Sequence, residues 1–163
     1  MSTTKTEQLQ IRVSKDQKAA LQAQAKAAGQ DVSSFVLARA LPEGNARFRA
    51  LLEAMTAGDH RFALAELNDL LTGCAPATFA DTVLDASLVG LDPYLQNYVA
   101  ALVEQAANQK GVQPPPWTAR VEPLGAPHFV TPLRSLRLHL LRSAPVPFKR
   151  RNIFVDSAIG ARV

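Results

Sequence analysis

Seven residues near the start constrain this chain more than any others. In Gln8-Leu9-Gln10-Ile11-Arg12-Val13-Ser14, polar and apolar side chains alternate. Period two predicts a strand with Leu9, Ile11 and Val13 on one face and Gln8, Gln10 and Arg12 on the other. At Ser14 the period changes. Ser14-Lys15-Asp16-Gln17 has the form of a capping box, with Ser14 as N-cap and Gln17 reaching back. A helix is expected from Lys15 to Ala28, rich in Ala, Leu, Gln and Lys, and Gly29 stops it. Asp31, Ser33 and Ser34 suit the cap of a second helix through about Leu41, which Pro42 and Gly44 end. A strand and two helices, about 35 residues, make too small a core to stand alone, and a lone strand has two open edges. The segment contains no hairpin turn to supply a second strand. The simplest repair is a second copy whose strand pairs antiparallel with the first, so a homodimer is expected.

On these residues, the segment Gln8–Leu41 resembles a ribbon-helix-helix DNA-binding domain, as in Arc- and MetJ-type repressors and many antitoxins. The resemblance covers about the first quarter of the chain. It implies that the two-stranded ribbon enters the major groove of double-stranded DNA with its outward side chains on the bases. By position these are Gln8, Gln10 and Arg12. Their chemistry suits the task, since glutamine pairs bidentately with adenine and arginine with guanine O6 and N7. It also implies a DNA phosphate at the start of the second helix, near Val32, Ser33 and Ser34, where free N–H groups and the helix dipole favour an anion. Residues 1–7 read as an arm in which Lys5 either touches phosphate or belongs to a frayed end.

Charge is distributed in blocks. The net value of +4 conceals +3 over residues 1–41, −5 over 42–119 and +6 over 120–163, which suggests separate surfaces with separate partners. Hydrophobic residues make up 47% of the chain, enough for a packed core. Cys74 is the single cysteine, so no disulfide forms within the chain, and no basic residue lies close to it in sequence. A structural thiol is expected. The polar N-terminus lacks a signal-peptide core, and no apolar run approaches a membrane span. The expectation is a cytoplasmic protein without membrane association.

Beyond residue 44 the periodicity is helical. Phe48, Leu51, Leu52 and Met55 mark one helix from about Ala46 to Thr56, after a hinge at Pro42-Glu43-Gly44-Asn45. Asp59 suits the cap of a second, which carries Phe62, Leu64, Leu67, Leu70 and Leu71 and closes at Gly73. Pro76 starts a third, with Phe79, Val83, Leu84 and Leu88, up to Gly90. Asp92-Pro93 opens a fourth, whose stripe is Tyr94, Leu95, Tyr98, Val99, Leu102 and Val103, ending near Lys110-Gly111. Short connections imply a small bundle. His60 lacks ligands at metal spacing on its helix face and reads as a surface histidine.

At Gln113-Pro114-Pro115-Pro116-Trp117 the composition shifts sharply toward polyproline, and residues 112–132 read as an irregular wrapping segment. Trp117 either folds back on the protein or stands exposed as an anchor for a partner. Thr131-Pro132 opens a helix to about Ser143, with Leu133, Leu136, Leu140 and Leu141 on one side and Arg134, Arg137 and Arg142 towards the other. Ala144-Pro145-Val146-Pro147 breaks it. The run Phe148-Lys149-Arg150-Arg151-Asn152 then leads into a strand-like Ile153–Val155, and Ser157–Val163 reads as a helical turn or two. Together with Pro-Pro-Pro-Trp and the Leu/Arg helix, this run resembles the C-terminal region of bacterial antitoxins paired with nucleotidyltransferase-like toxins. Those proteins commonly bind DNA through a helix-turn-helix, which this chain replaces. The resemblance implies a protein toxin as partner, met by Trp117, Lys149, Arg150 and Arg151. Lys149-Arg150-Arg151 otherwise reads as a solvated basic turn or as a phosphate contact.

The expected architecture is therefore mainly α. A ribbon-helix-helix unit occupies residues 1–44, a helical bundle 45–111, and a Pro-rich, basic segment 112–163, either separate or part of one domain with the bundle. No phosphate-cradling glycine loop, metal-spaced His or Cys set, or local nucleophile motif stands in the sequence. His60, His128 and His139 are far apart along it. The expectation is no catalytic residue, metal or cofactor. The function expected is that of a DNA-binding antitoxin which represses its own operon and neutralises a toxin. The alternative is a stand-alone transcriptional regulator with a C-terminal sensing or oligomerisation domain.

Overall fold

In the computed structural model, residues 10–27, 29, 31–40 and 43–156 are described, the side chains of 37–40 excepted. The chain divides into two compact units, residues 1–41 and 42–163, and the architecture is mainly helical.

In the first unit, α1 (Lys15–Ala27) and α2 (Val32–Ala40) pack together, with Ala25 and Phe35 buried. Both start as the residues dictate. The capping box is formed reciprocally: Ser14 N–H donates to Gln17 Oε1 (2.9 Å) and Gln17 N–H to Ser14 Oγ (3.2 Å). Gly29 turns the chain after α1 at φ +67°. The expected strand is not formed by Gln10–Ser14, which lack regular structure in the single chain. Strand hydrogen bonds need a neighbouring strand, and none faces this segment among the described residues. Lys5, Gln8 and Leu9 lie outside the described residues, as do Ala28, Leu41, Pro42 and Ser157–Val163.

The second unit is built around one long helix. It comprises α3 (Glu43–Thr56), α4 (His60–Gly73), α5 (Pro76–Thr82), α6 (Pro93–Lys110), α7 (Arg137–Ser143) and the short α8 (Val146–Lys149). β1 (His128–Phe129) and β2 (Ile153–Phe154) pair in parallel, His128 opposite Ile153. Asp92 caps α6 by accepting from Leu95 N–H at 2.9 Å, Pro93 sits at its first position, and Gly111 closes it at φ +67°. The helix packs against α4 and α8 and is buried on several sides, beyond the predicted stripe, through Ala100, Ala101, Ala106 and Ala107. Phe48, Met55, Leu67, Phe79, Val99, Phe148, Ile153 and Val155 share one core. The bundle and the residues after 111 thus bury a common interior.

Three boundaries differ from expectation. The hinge residues Glu43, Gly44 and Asn45 form the first turn of α3. A Cβ on Gly44 would lie 2.6 Å from Thr82 Oγ1, and Asn45 Nδ2 donates to Thr82 O at 3.1 Å, so α5 packs down onto this turn. The third helix ends at Thr82 instead of running to Gly90. The Trp117 indole N–H donates to Val83 O at 2.8 Å and so takes an acceptor that a continuing helix would use. The Leu/Arg helix begins only at Arg137, after a 3-10 turn over Arg134–Leu136. Of its leucine side only Leu140 is buried, in a small cluster with Ala144, Phe154 and Phe129, while Leu133, Leu136 and Leu141 face solvent.

Arg151 makes several of the contacts that hold the wrapping segment. Arg151 Nη2 donates to Glu104 Oε1 and Thr118 O, both at 2.7 Å. Its Nη1 donates to Val121 O (3.1 Å) and Asn97 Oδ1 (3.4 Å). The Glu104 and Arg151 side chains are each 4% exposed. Arg150, 65% exposed, reaches Glu104 Oε2 at 2.9 Å. Removing one member of a buried pair strands the other's charge, which costs about 3–5 kcal/mol, whereas losing a solvent-exposed partner such as Arg150 costs ~0–1 kcal/mol, because Glu104 keeps Arg151. Glu104→Ala should therefore destabilise the protein by about 3–5 kcal/mol, and Arg150→Ala by no more than about 1 kcal/mol. Urea denaturation followed by circular dichroism checks both.

Candidate nucleic-acid interface

Gln10, Ile11, Arg12 and Val13 are all exposed, with Ile11 at 62% and Val13 at 43%. Two apolar side chains spaced by two, left in water beside two hydrogen-bonding ones, form an amphipathic edge without its cover. The capping box joins this edge rigidly to α1, because Ser14 is both its last residue and the helix cap.

The start of α2 is more occupied than the sequence suggests. Asp31 Oδ1 accepts from Ser34 N–H at 3.0 Å. The Asp31 carboxyl is held below its ordinary range, first by the Ser34 side-chain hydrogen bond, then by backbone N–H groups of Ser34 and Ser33. Ser33 is exposed and Ser34 half-buried. A carboxylate therefore sits where the resemblance implies a phosphate, engaging the same donors.

The other predicted contact residues lie in the second unit and carry structural duties. Trp117 is half-buried against Phe48, ring centroids 6.4 Å apart, and its indole N–H is committed to Val83 O. The folded-back alternative describes it. Lys149 Nζ donates to Arg142 O at 2.8 Å. Arg151 is buried on Glu104 and is no part of an exposed basic turn. Arg150 is exposed while paired with the same carboxylate.

The histidines have three different surroundings. His60 is exposed, the His128 ring packs 4.2 Å from that of Tyr94, and His139 Nε2 lies 3.4 Å from Asp156 Oδ2. Among the described residues, no group of three or more His, Cys, Asp or Glu is placed to hold a metal ion. Half-buried Cys74 lies 3.4 Å from the hydroxyls of both Thr78 and Thr82. Burial pushes the Tyr98 hydroxyl up to about 12, with a smaller effect from Tyr94. Glu104 and Asn97 are buried polar residues outside the expected apolar stripe of α6, although the sequence carries a signal for them. Asn97, Ala101 and Glu104 recur at i, i+4 and i+7, which places an amide and a carboxylate on one helix face among small residues.

Residues 3–50 match the model of the NikA-like family, described as mobilization protein NikA. That family is of the ribbon-helix-helix type. The match takes in the alternating segment, both helices of the first unit and the opening turns of α3. No curated protein and no solved structure gives a significant match to the chain. No helix among the described residues is long and apolar enough to cross a membrane.

The Asp31 cap has a pH signature. A depressed carboxyl contributes its stabilisation in full above the unfolded value, and the contribution is lost as pH falls through the folded value. With Asp31 below its ordinary 3.8, the cap should persist at neutral pH and weaken only in acid below that value. The Ser34 amide resonance, followed by NMR against pH, should move with this titration, and Asp31→Asn should abolish the movement.

Proposed function

We propose that this protein is a sequence-specific DNA-binding regulator that acts as a ribbon-helix-helix dimer. The observation that carries the reading is the uncovered edge Gln10-Ile11-Arg12-Val13 leading into a fully formed capping box. A second copy pairing its strand against this edge would bury Ile11 and Val13. It would also satisfy the free backbone groups and turn Gln10 and Arg12, with Gln8, outward into a major groove. The family match over residues 3–50 supports the same reading. Two-fold symmetry calls for a palindromic or repeated site.

The DNA-bound dimer has two uses to choose between. The description of the matched family favours a role in DNA mobilization. The resemblance of the C-terminal residues favours an antitoxin, with Lys149, Arg150 and the exposed surface around them meeting a protein toxin. Trp117 and Arg151 would support such a surface from below. Co-expression with each neighbouring gene and pull-down separates the two, since an antitoxin rescues growth from a toxic neighbour.

Gel shifts on upstream DNA test the central reading. Arg12→Ala should weaken binding to the preferred site by about 1–3 kcal/mol and relax specificity at one base position. Ile11→Glu should remove binding altogether by preventing the ribbon from pairing. If α2 seats a phosphate through Ser33 and Ser34, Asp31→Asn should tighten binding, because a negative charge leaves the site. Equal affinity of wild type and Arg12→Ala would refute the ribbon readout.

A further inference from the structure

Among the described residues, the largest run of uncovered apolar side chains outside the N-terminal edge lies around α7. Leu138 is 74% exposed and Leu133 57%, and Leu136 and Leu141 are exposed as well. Arg134, Arg137 and Arg142 are interleaved with them and also stand in solvent. Helical geometry sets the two kinds of side chain on one face. At about 100° per residue, Arg137, Leu141, Leu138 and Arg142 fall within an arc of about 140°. Buried Leu140 falls outside that arc, as does His139, which lies 3.4 Å from Asp156. Among the described residues none of the three arginines pairs with a carboxylate, and the Arg137 guanidinium lies 5.0 Å over the Phe129 ring, which leaves its charge uncompensated. No Asp or Glu occurs anywhere in residues 123–155. The face is therefore apolar and cationic at once.

Those two properties together narrow the occupant. Duplex phosphate would neutralise the arginines but leave the leucines in water. An apolar groove on another protein would cover the leucines, yet it would strand the guanidinium groups unless carboxylates were spaced to meet each one. A bilayer with anionic headgroups answers both demands without any such spacing. Leucines enter the acyl boundary, while the long arginine stems keep their charges at headgroup level. With seven residues, α7 is long enough to lie on such a surface and too short to cross it.

We propose that the leucine–arginine face of α7 is a peripheral docking surface for an anionic lipid bilayer. Leu138 and Leu141 sit in the interface, and Arg134, Arg137 and Arg142 meet the lipid phosphates. The expectation of a chain without membrane association follows from the absence of a long apolar run, and a surface contact needs no such run. Attraction of exposed cations to the headgroups is screened by salt, so the attachment is reversible and salt-sensitive. On the DNA-binding reading above, the protein would hold its duplex at a membrane surface. Vesicle binding is measured without DNA, so its outcome is independent of that reading.

The test is flotation of the full chain with vesicles of equimolar phosphatidylglycerol and phosphatidylcholine, and with vesicles of phosphatidylcholine alone. Wild type should float with the first and not with the second. Arg134→Gln/Arg142→Gln and Leu138→Ser/Leu141→Ser should each weaken binding about tenfold or more, and Arg134→Lys/Arg142→Lys should retain it. Helix content by circular dichroism should be unchanged in all three, since the replaced side chains are exposed. Failure of wild type to float with the anionic vesicles overturns the proposal. So does flotation that both the Gln and the Ser variants keep, which assigns the attachment to another part of the chain. Loss in the Gln variant with full binding in the Ser variant marks a contact for any polyanion, nucleic acid included, and overturns the proposal as well.

Discussion

A buried ion pair, Arg151 with Glu104, ties the irregular segment of the second unit to its long helix. A guanidinium and a carboxylate taken out of water are stable only when nearly all their hydrogen-bonding capacity is met. Arg151 meets this with both terminal nitrogens, on Glu104, Asn97 and two backbone carbonyls, and only Nε is left without a partner among the described residues. Because those carbonyls belong to Thr118 and Val121, the pair fixes a stretch that has almost no secondary structure of its own. Asn97 adds to the clamp, as its Nδ2 donates to Glu122 O at 2.9 Å. The proline-rich strand of chain thereby becomes a rigid cover for α6.

The first unit is organised on an opposite plan. Its order is local: one reciprocal capping box, one aspartate cap and one left-handed glycine define where both helices start and where the first one ends. What such local rules leave open is the outer edge. Exposed apolar residues at strand spacing, Ile11 and Val13, are what the second strand of the proposed dimer would cover.

The legibility of the sequence follows this difference. Caps, turns and long amphipathic helices rest on neighbouring residues, so Ser14, Gly29, Asp92 and Gly111 could be read directly. The short strand at Ile153–Phe154 was legible from its apolar run between turns, but its parallel partner at His128–Phe129 was not, since pairing across 25 residues leaves no local mark. Helix ends that meet tertiary contacts are also hidden: α5 ends at Thr82, where a distant indole takes the next carbonyl, and α3 begins at Glu43, with Gly44 in its first turn close against Thr82 of α5. In sequence, Arg151 is indistinguishable from Lys149 and Arg150, since charge alone groups the three. A run of cations does not tell which one turns inward. That information lay 47 residues away, in a glutamate on the inner face of α6.

The position of Trp117 has a practical corollary. It is the chain's sole tryptophan, and it sits between Phe48 and the Val83 carbonyl, inside the second unit. Indole fluorescence is thus an intrinsic optical probe of residues 42–163. Emission shifts during unfolding or assembly report on that unit, while residues 1–41, which carry no tryptophan, do not contribute to the signal.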